Sequence, residues 1–153
     1  SLAGRDEVTP VDTMNAIIDI RQSKLPDTND LPNCGSFFKN PIVAKSQVDQ
    51  LLQSYPNLVH YPVKDAQGNL TDYCKVAAGW LIDQSGLKGK GIAPITHVKQ
   101  ALVLTNHAPK VATQRDVAKT MQFIQDTVLK KFGIKLEAEP IWIESDGSIR
   151  QAH

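Results

Sequence analysis

Three things are scarce in this sequence: cysteine, an excess of charge of one sign, and long apolar runs. Only two cysteines, Cys34 and Cys74, occur in 153 residues, which excludes a disulfide scaffold and a cysteine metal site. No apolar stretch approaches the roughly 20 residues that cross a bilayer, and residues 1–6 lack the basic start and apolar run of a signal peptide. We therefore expect a cytoplasmic protein with reduced thiols and no membrane partner.

Charge and motif content exclude further classes of function. The 17 basic and 16 acidic side chains give a formal net charge of +1, so the basic face that drives non-specific nucleic-acid binding is not expected. The sequence has no Walker motif, no dinucleotide fingerprint, and no Cys-x-x-Cys or His-x-x-x-His pair. We expect no nucleic-acid partner and no metal site.

The hydrophobic pattern predicts one α+β domain in which helices pack on a small mixed or antiparallel sheet. With 41% apolar residues, a chain of this length can bury a core. The predicted helices are 10–24, 47–54 with Ser46 as the N-cap, 75–84 and 114–132. The predicted strands are 36–39, 101–104 and 134–143, with a last strand after the turn at 146–147. Residues 55–69 are predicted to form a loop. The first helix follows a Thr9-Pro10 cap, and four of its apolar residues fall at helical spacing: Val11, Met14, Ile17 and Ile18.

The run Asn-Cys-Gly-Ser-Phe-Phe-Lys-Asn-Pro-Ile-Val at 33–43 mixes polar and aromatic residues. Ser36, Lys39 and Asn40 offer a hydroxyl, a cation and a carboxamide beside two phenylalanines. Such groups can donate a proton, bind an anion and form hydrogen bonds with a sugar. From residue types alone, structural roles are favoured: Ser36 lining a turn, Lys39 on a solvated surface, and Asn40 bonding its own turn.

Tyr61, Glu137 and Glu139 leave similar alternatives open. Tyr61 could stack on a base or sugar, or be a half-buried loop aromatic. The two glutamates lie two residues apart on a predicted strand and so point to the same side, where proximity would favour one of them as an acid catalyst. An exposed strand face without chemistry fits the spacing equally well.

Several segments together resemble the C-terminal region of the UDP-N-acetylenolpyruvoylglucosamine reductases, also called UDP-N-acetylmuramate dehydrogenases. They occur in the family's order from about residue 9 onward, and Gly-Ser-Phe-Phe-Lys-Asn-Pro at 35–41 is the most specific of them. The others are Lys-Leu-Pro-Asp at 24–27, Ala-Ala-Gly-Trp-Leu-Ile-Asp at 77–83, His97 with Gln-Ala-Leu-Val-Leu at 100–104, and Phe-Gly-Ile with Leu-Glu-Ala-Glu within 132–139.

The resemblance implies an activity and six site residues. Family members reduce the enolpyruvyl group of UDP-N-acetylglucosamine enolpyruvate with bound FAD, which NADPH reduces, and the product is UDP-N-acetylmuramate, a precursor of bacterial peptidoglycan. Ser36 resembles the serine that protonates the intermediate, and Glu139 resembles the carboxylate that acts with it. The residues that resemble substrate contacts are Lys24 and Tyr61 at the diphosphate, and Asn40 and Gln100 at the uridine and phosphate side.

The family's N-terminal FAD-binding domains have no counterpart in this sequence. The resemblance therefore implies that residues 1–153 are the C-terminal substrate-binding domain, with 1–8 as a linker, and that its partners are the missing domains and the UDP-sugar substrate. We expect the chain alone to bind no FAD and to reduce nothing. The alternative is a nucleotide-sugar-binding module without catalysis. The positions that depart from the family pattern include Cys34, expected to be a small packing residue, and Pro140, which follows Glu139.

Overall fold

The computed structural model describes residues 9–24, 27–90, 92 and 100–151. Within them the helices are α1 (Pro10–Lys24), α2 (Lys45–Ser54), α3 (Ala78–Gln84) and α4 (Gln114–Phe132). The strands are β1 (Asn33–Ser36), β2 (Ile42–Ala44), β3 (His60–Lys64), β4 (Leu70–Val76), β5 (Val103–Thr105), β6 (Ile141–Ile143) and β7 (Ile149–Gln151). This mixture of helices and short strands confirms the α+β prediction.

The strands form three small antiparallel sheets. β1 pairs with β5, β4 lies between β2 and β3, and β6 pairs with β7. The β6–β7 hairpin closes at the predicted turn, where Gly147 has a φ of 82°. The predicted small sheet is therefore antiparallel, but it is divided into separate parts.

One face of α4 is buried in the core. Met121, Ile124, Val128 and Phe132 recur three or four residues apart, and each is at most 4% exposed. They pack with buried residues from most of the chain, among them Phe37, Phe38, Val48, Leu81, Ile82, Leu104, Ile134, Leu136 and Ala138. This burial stabilises α4 by hydrophobic transfer and confirms the amphipathic helix that the sequence predicts.

Local signals set both ends of α4. The side chains of Thr113 and Asp116 form a capping box with each other's backbone N–H groups, and Gly133 ends the helix in the left-handed region at φ 66°. These are the bounds that the sequence predicts, because a capping box and a terminal glycine satisfy helix-end groups without distant partners.

The segment predicted as a loop from 55 to 69 contains β3 and the turn into β4. β3 includes Pro62, which has no N–H to donate and lies on an edge strand, where a proline is tolerated. In the turn, Asp65 Oδ1 accepts the backbone N–H groups of Gln67 at 3.0 Å and Asn69 at 2.8 Å. The loop prediction was wrong because proline and glycine also mark an edge strand and a hairpin turn.

Other boundaries shift because strands need partners. The helix predicted from residue 75 begins at Ala78, since residues 75 and 76 complete β4. The strands predicted at 36–39 and 101–104 form at 33–36 and 103–105, where they pair with each other. Only 141–143 of the strand predicted at 134–143 is regular, because residues 134–139 meet the chain through one isolated bridge, Phe38 to Ala138. The predicted Ser46 cap of α2 was wrong, because the helix begins at Lys45 and Ala44 occupies the N-cap position.

α1 begins where the sequence predicts. The Thr9 hydroxyl donates to the Asp12 carboxylate at 2.6 Å and accepts the Asp12 N–H at 3.2 Å. Its apolar residues keep their helical spacing, yet Val11, Met14 and Ile17 are all more than half exposed. The described part of the chain contains no helix long and apolar enough to cross a membrane.

Candidate active site

A tight turn places Ser36 at the end of β1. Asn33 Oδ1 accepts the N–H of Gly35 at 3.0 Å, and Asn33 Nδ2 donates to the carbonyl of Leu31 at 2.9 Å. Gly35 has a φ of 79°, in the left-handed region that side chains with a Cβ rarely adopt. Ser36 follows with an exposed side chain and pairs with Val103 of β5. The turn at Asn33 and Gly35 thus leaves the Ser36 hydroxyl exposed, on a strand whose position is fixed by pairing with β5.

Backbone hydrogen bonds fix Glu139 against the same strand end. The N–H of Glu139 donates to the carbonyl of Phe37 at 2.9 Å, and the N–H of Lys39 donates to the carbonyl of Glu137, also at 2.9 Å. The two bonds flank the bridge made by Phe38, which is only 2% exposed. Because Phe38 is anchored in the core, the register of this pairing is fixed.

A buried glutamine supports the segment that carries Glu139. Gln125 of α4 donates from Nε2 to the carbonyl of Leu136 at 2.8 Å. Along residues 134–139, buried and exposed side chains alternate. Glu137 and Glu139 therefore lie on the same side, as the sequence predicts, and that side is exposed. Residues 134–139 therefore have the alternating burial of a strand, although their backbone forms only one β-bridge, from Ala138 to Phe38.

Ser36 and Glu139 line one cavity. The cavity has a volume of about 420 Å³, and Cys34 and Pro140 complete its lining. Partial burial raises the pKa of the Cys34 thiol, and the nearby negative charge of Glu139 raises it further, so the thiol is neutral at neutral pH. Cys34 is exposed, and the expectation of a small packing residue was wrong because exposure alternates along β1 and Cys34 falls on the more exposed side with Ser36.

A second cavity lies beside the next part of the motif. It has a volume of about 500 Å³, and its lining includes Lys39, Asn40, Lys135 and Glu137. Asn40 Oδ1 accepts the N–H of Ala78 at 2.9 Å, which satisfies an unpaired donor in the first turn of α3. Asn40 therefore has a structural partner outside its own turn, and the two lysines give this cavity cationic groups that could face an anion.

The remaining predicted site residues are spread over the fold. Tyr61 lies on β3 opposite Lys75 of β4 and is 55% exposed. Gln100 is half-buried, and its carbonyl accepts the N–H of Val103. Neither lines the two cavities. Lys24 ends α1, and the position of its side chain lies outside what the structure describes.

Sequence reasoning missed the contribution of Gln125 to this region. No local signal identifies it, because its hydrogen bond goes to Leu136, which lies outside α4. Across the described ranges, His, Cys, Asp and Glu side chains form no group of three or more that could hold a metal ion.

Comparison with known proteins places this fold and site in a family. A family model described as UDP-N-acetylenolpyruvoylglucosamine reductase, C-terminal domain, matches residues 26–143. A protein of that reductase name from Psychrobacter cryohalolentis is 59% identical over 147 residues, which are 95% of this chain and 38% of the relative. Proteins of the same name from Chromobacterium violaceum and Bdellovibrio bacteriovorus are 48% and 47% identical over 140 and 133 residues, or 90% and 86% of this chain.

The matched region contains the motif at 35–41 and the segment that carries Glu139. The chain spans 38% of the length of the Psychrobacter and Chromobacterium relatives and 37% of the Bdellovibrio one. The resemblance stated from the motifs is therefore confirmed, and the chain belongs to the family of UDP-N-acetylenolpyruvoylglucosamine reductase C-terminal domains.

Proposed function

We propose that this chain is the substrate-binding and proton-donating domain of a flavin- and NADPH-dependent reductase. The whole enzyme converts UDP-N-acetylglucosamine enolpyruvate to UDP-N-acetylmuramate for peptidoglycan synthesis in the bacterial cytoplasm. The observation that carries the proposal is the cavity that Ser36 and Glu139 line together, with the register between their strands fixed by the buried Phe38.

The residues of this cavity suit protonation beside a carboxylate. Reduction of the enolpyruvyl double bond adds a hydride to one carbon and a proton to the other, so the substrate gains the two electrons that NADPH loses. Ser36 supplies the proton from its hydroxyl. Since a serine hydroxyl is a weak acid, its oxygen needs a neighbouring donor when the proton leaves. Glu139, which lines the same cavity, acts with Ser36 at the carboxylate end of the substrate.

The linings of the two cavities do not fit FAD. A dinucleotide is usually held by a glycine-rich turn at a helix N-terminus, which offers backbone N–H groups to the diphosphate. The glycine in the second cavity is Gly133, at the C-terminal end of α4, where carbonyl groups point outward. We propose that the flavin, which would supply the hydride, binds in the remainder of the enzyme and that the isolated chain reduces nothing.

The other four residues are proposed to bind the nucleotide part of the substrate. Lys24 and Tyr61 are assigned to the diphosphate, and Asn40 and Gln100 to the uridine and phosphate side. For Asn40, the cationic groups that line the same cavity support contact with an anionic ligand. For Tyr61, the exposed ring on an edge strand supports stacking or hydrogen bonding with a bound partner.

Substitutions in the full-length reductase test the two catalytic assignments. Ser36→Ala and Glu139→Gln are each expected to lower substrate turnover by about a hundredfold or more, because general acid catalysis contributes at least that much. Flavin absorbance and the rate of flavin reduction by NADPH should stay at the wild-type level, since neither step needs the proton. Stopped-flow absorbance measures both half-reactions in one preparation.

The matched controls are Ser54→Ala, at the exposed end of α2, and Glu144→Gln, in an exposed ion pair with Arg150. Both are expected to keep normal turnover. Wild-type turnover in Ser36→Ala would overturn the proposal. The alternative predicts a different pair of results. If calorimetric titration shows that the chain binds UDP-N-acetylglucosamine and both site variants keep normal turnover, the chain is a nucleotide-sugar-binding module without catalysis.

A further inference from the structure

The hairpin cavity lies between α4 and the β6–β7 hairpin. It has a volume of about 360 Å³, which is within the range of small-molecule sites. It shares no described lining residue with the two cavities of the candidate active site. Its polar and aromatic lining consists of Gln114, Arg115, Lys119 and Gln122 of α4 and of Trp142 and Arg150 of the hairpin.

Three cations reach the hairpin cavity from two elements of the fold. Arg115 and Lys119 are four residues apart on α4, so their side chains lie on the same side of the helix. Arg150 of β7 is the cross-strand partner of Trp142 of β6, and such partners lie side by side on one face of a hairpin. The fold therefore brings two cations of the helix, and a cation with an indole of the hairpin, to one cavity.

The carboxylates near the hairpin cavity leave it positively charged. Glu144 Oε1 accepts from Arg150 Nε at 2.9 Å and pairs with a terminal nitrogen of the same guanidinium at 2.8 Å, so it offsets that charge alone. Asp116 Oδ2 accepts the N–H and the hydroxyl of Thr113, each at 2.8 Å. Over the described part of the chain, the two cations of α4 form no ion pair. Since the whole chain has a formal net charge of only +1, positive charge is concentrated here.

The indole of Trp142 adds a feature that a simple anion site lacks. Trp142 is half-buried and packs against the core, so the ring is held in place while it lines the cavity. A fixed aromatic surface beside an arginine suits stacking with a planar ring. Arginine and lysine bind phosphate oxygens through charge-assisted hydrogen bonds. The lining thus combines groups for a phosphate with a surface for a planar ring.

We propose that the hairpin cavity binds a nucleoside monophosphate, with the phosphate at Arg115 and Lys119 and the base against Trp142. The carboxamides of Gln114 and Gln122 both donate and accept hydrogen bonds, so they suit the polar edge of a base. The site is separate from the candidate active site, and the proposal does not rest on the proposed function.

Binding stabilises the hairpin, because the cavity exists only while the hairpin lies against α4. A two-stranded hairpin alone is marginally stable in water, and among the described strands β6 and β7 pair only with each other. The amides of the hairpin should therefore exchange quickly in the free protein. Opening removes Trp142 and Arg150 from the cavity, so a ligand that needs both sides slows exchange in proportion to its occupancy of the closed form.

Hydrogen exchange of residues 141–151, measured by mass spectrometry while the full-length reductase is titrated with AMP, tests the site. At ten times the AMP concentration that halves the rate, exchange should be about tenfold slower. Inorganic phosphate and adenosine should each need at least about a tenfold higher concentration, because each offers only one of the two recognised groups. Arg115→Gln combined with Lys119→Gln should raise the required AMP concentration by at least about tenfold. Trp142→Leu should raise it about tenfold and leave the response to inorganic phosphate unchanged.

The matched control combines Lys110→Gln with Lys130→Gln, which removes two exposed positive charges outside the described lining of the cavity. Its response to AMP should stay at the wild-type level. Three results would overturn the inference: exchange that AMP does not slow, equal responses of the two double variants, or equal responses to AMP and to inorganic phosphate. Turnover of Ser36→Ala tests the proposed function separately, because Ser36 lines a different cavity.

Discussion

Replacing Gln125 by methionine removes one specific support of the candidate site. Gln125 is 8% exposed, and its Nε2 donates to the carbonyl of Leu136, a residue with no exposed surface. The bond joins α4 to the segment that ends at Glu139. Methionine has a similar length and volume and a similar helix propensity, so the packing around position 125 changes little. The variant therefore isolates the hydrogen bond.

The expected loss follows from the carbonyl that remains. A buried acceptor without its donor costs about 1–3 kcal/mol, which is more than the net contribution of an average hydrogen bond. The added apolar surface of methionine offsets part of this, and we expect a net loss of about 1–2 kcal/mol in the free energy of unfolding. For a domain of this size that corresponds to a melting temperature lower by about 3–6 °C.

Urea unfolding followed by circular dichroism measures the loss. Gln122→Met is the matched control, because it makes the same chemical change on an exposed position of α4, and it should shift the midpoint little. In the full-length reductase, Gln125→Met should also lower turnover with flavin reduction by NADPH unchanged, since the Glu139 segment loses an anchor. Equal midpoints for the two variants would refute the assignment of Gln125 as a support.

Three further predictions concern caps, pH and a glycine. Thr113→Ala should lower the free energy of unfolding by about 1 kcal/mol, whereas Thr9→Ala should leave the urea midpoint unchanged, because α1 has no described core contact; equal losses would contradict this. Hydrogen bonds from Thr113 lower the pKa of Asp116, so the ionised Asp116 carboxylate stabilises the fold fully at neutral pH, and this contribution disappears as the pH falls through the lowered pKa. Asp116→Asn should therefore weaken the dependence of the free energy of unfolding on pH in the acid range. An unchanged dependence would contradict this assignment. Gly35→Ala meets no atom within 4 Å, so its loss of about 1–2 kcal/mol should come from the positive φ alone; Gly35→Asn should lose less, and equal losses would exclude strain as the cause.

The elements that the sequence predicts well are those that local groups determine. α4 has its capping box, its terminal glycine and a regular apolar spacing, and its bounds were confirmed at both ends. α1 has an equivalent cap at Thr9 and also begins as predicted. In both cases the deciding interactions lie within four residues, and a single sequence contains that information completely.

The elements that were wrong depend on partners far along the chain. Residues 134–139 show the alternating burial of a strand. They form no regular strand, because their ladder with the segment around Phe38 is limited to one bridge, from Phe38 to Ala138. β3 was missed for a different reason: it pairs with the next strand, β4, across the turn at Asp65, and the proline and glycine there were interpreted as a loop. Burial of α1 was also undetermined, because helical spacing shows which residues share a side and not what covers them.

The spacing within the motif explains how the two cavities are arranged. Between Ser36 and Lys39 stand two phenylalanines that are both buried in the core. Their burial places Ser36 at one end of the bridge and Lys39 and Asn40 at the other, and the two cavities share no lining residue. A ligand that contacts both ends must be elongated, with a reactive group at one end and anionic or hydrogen-bonding groups at the other. A UDP-sugar has that shape and charge distribution, so the aromatic pair acts as a spacer between the proton donor and the nucleotide contacts in the proposed function.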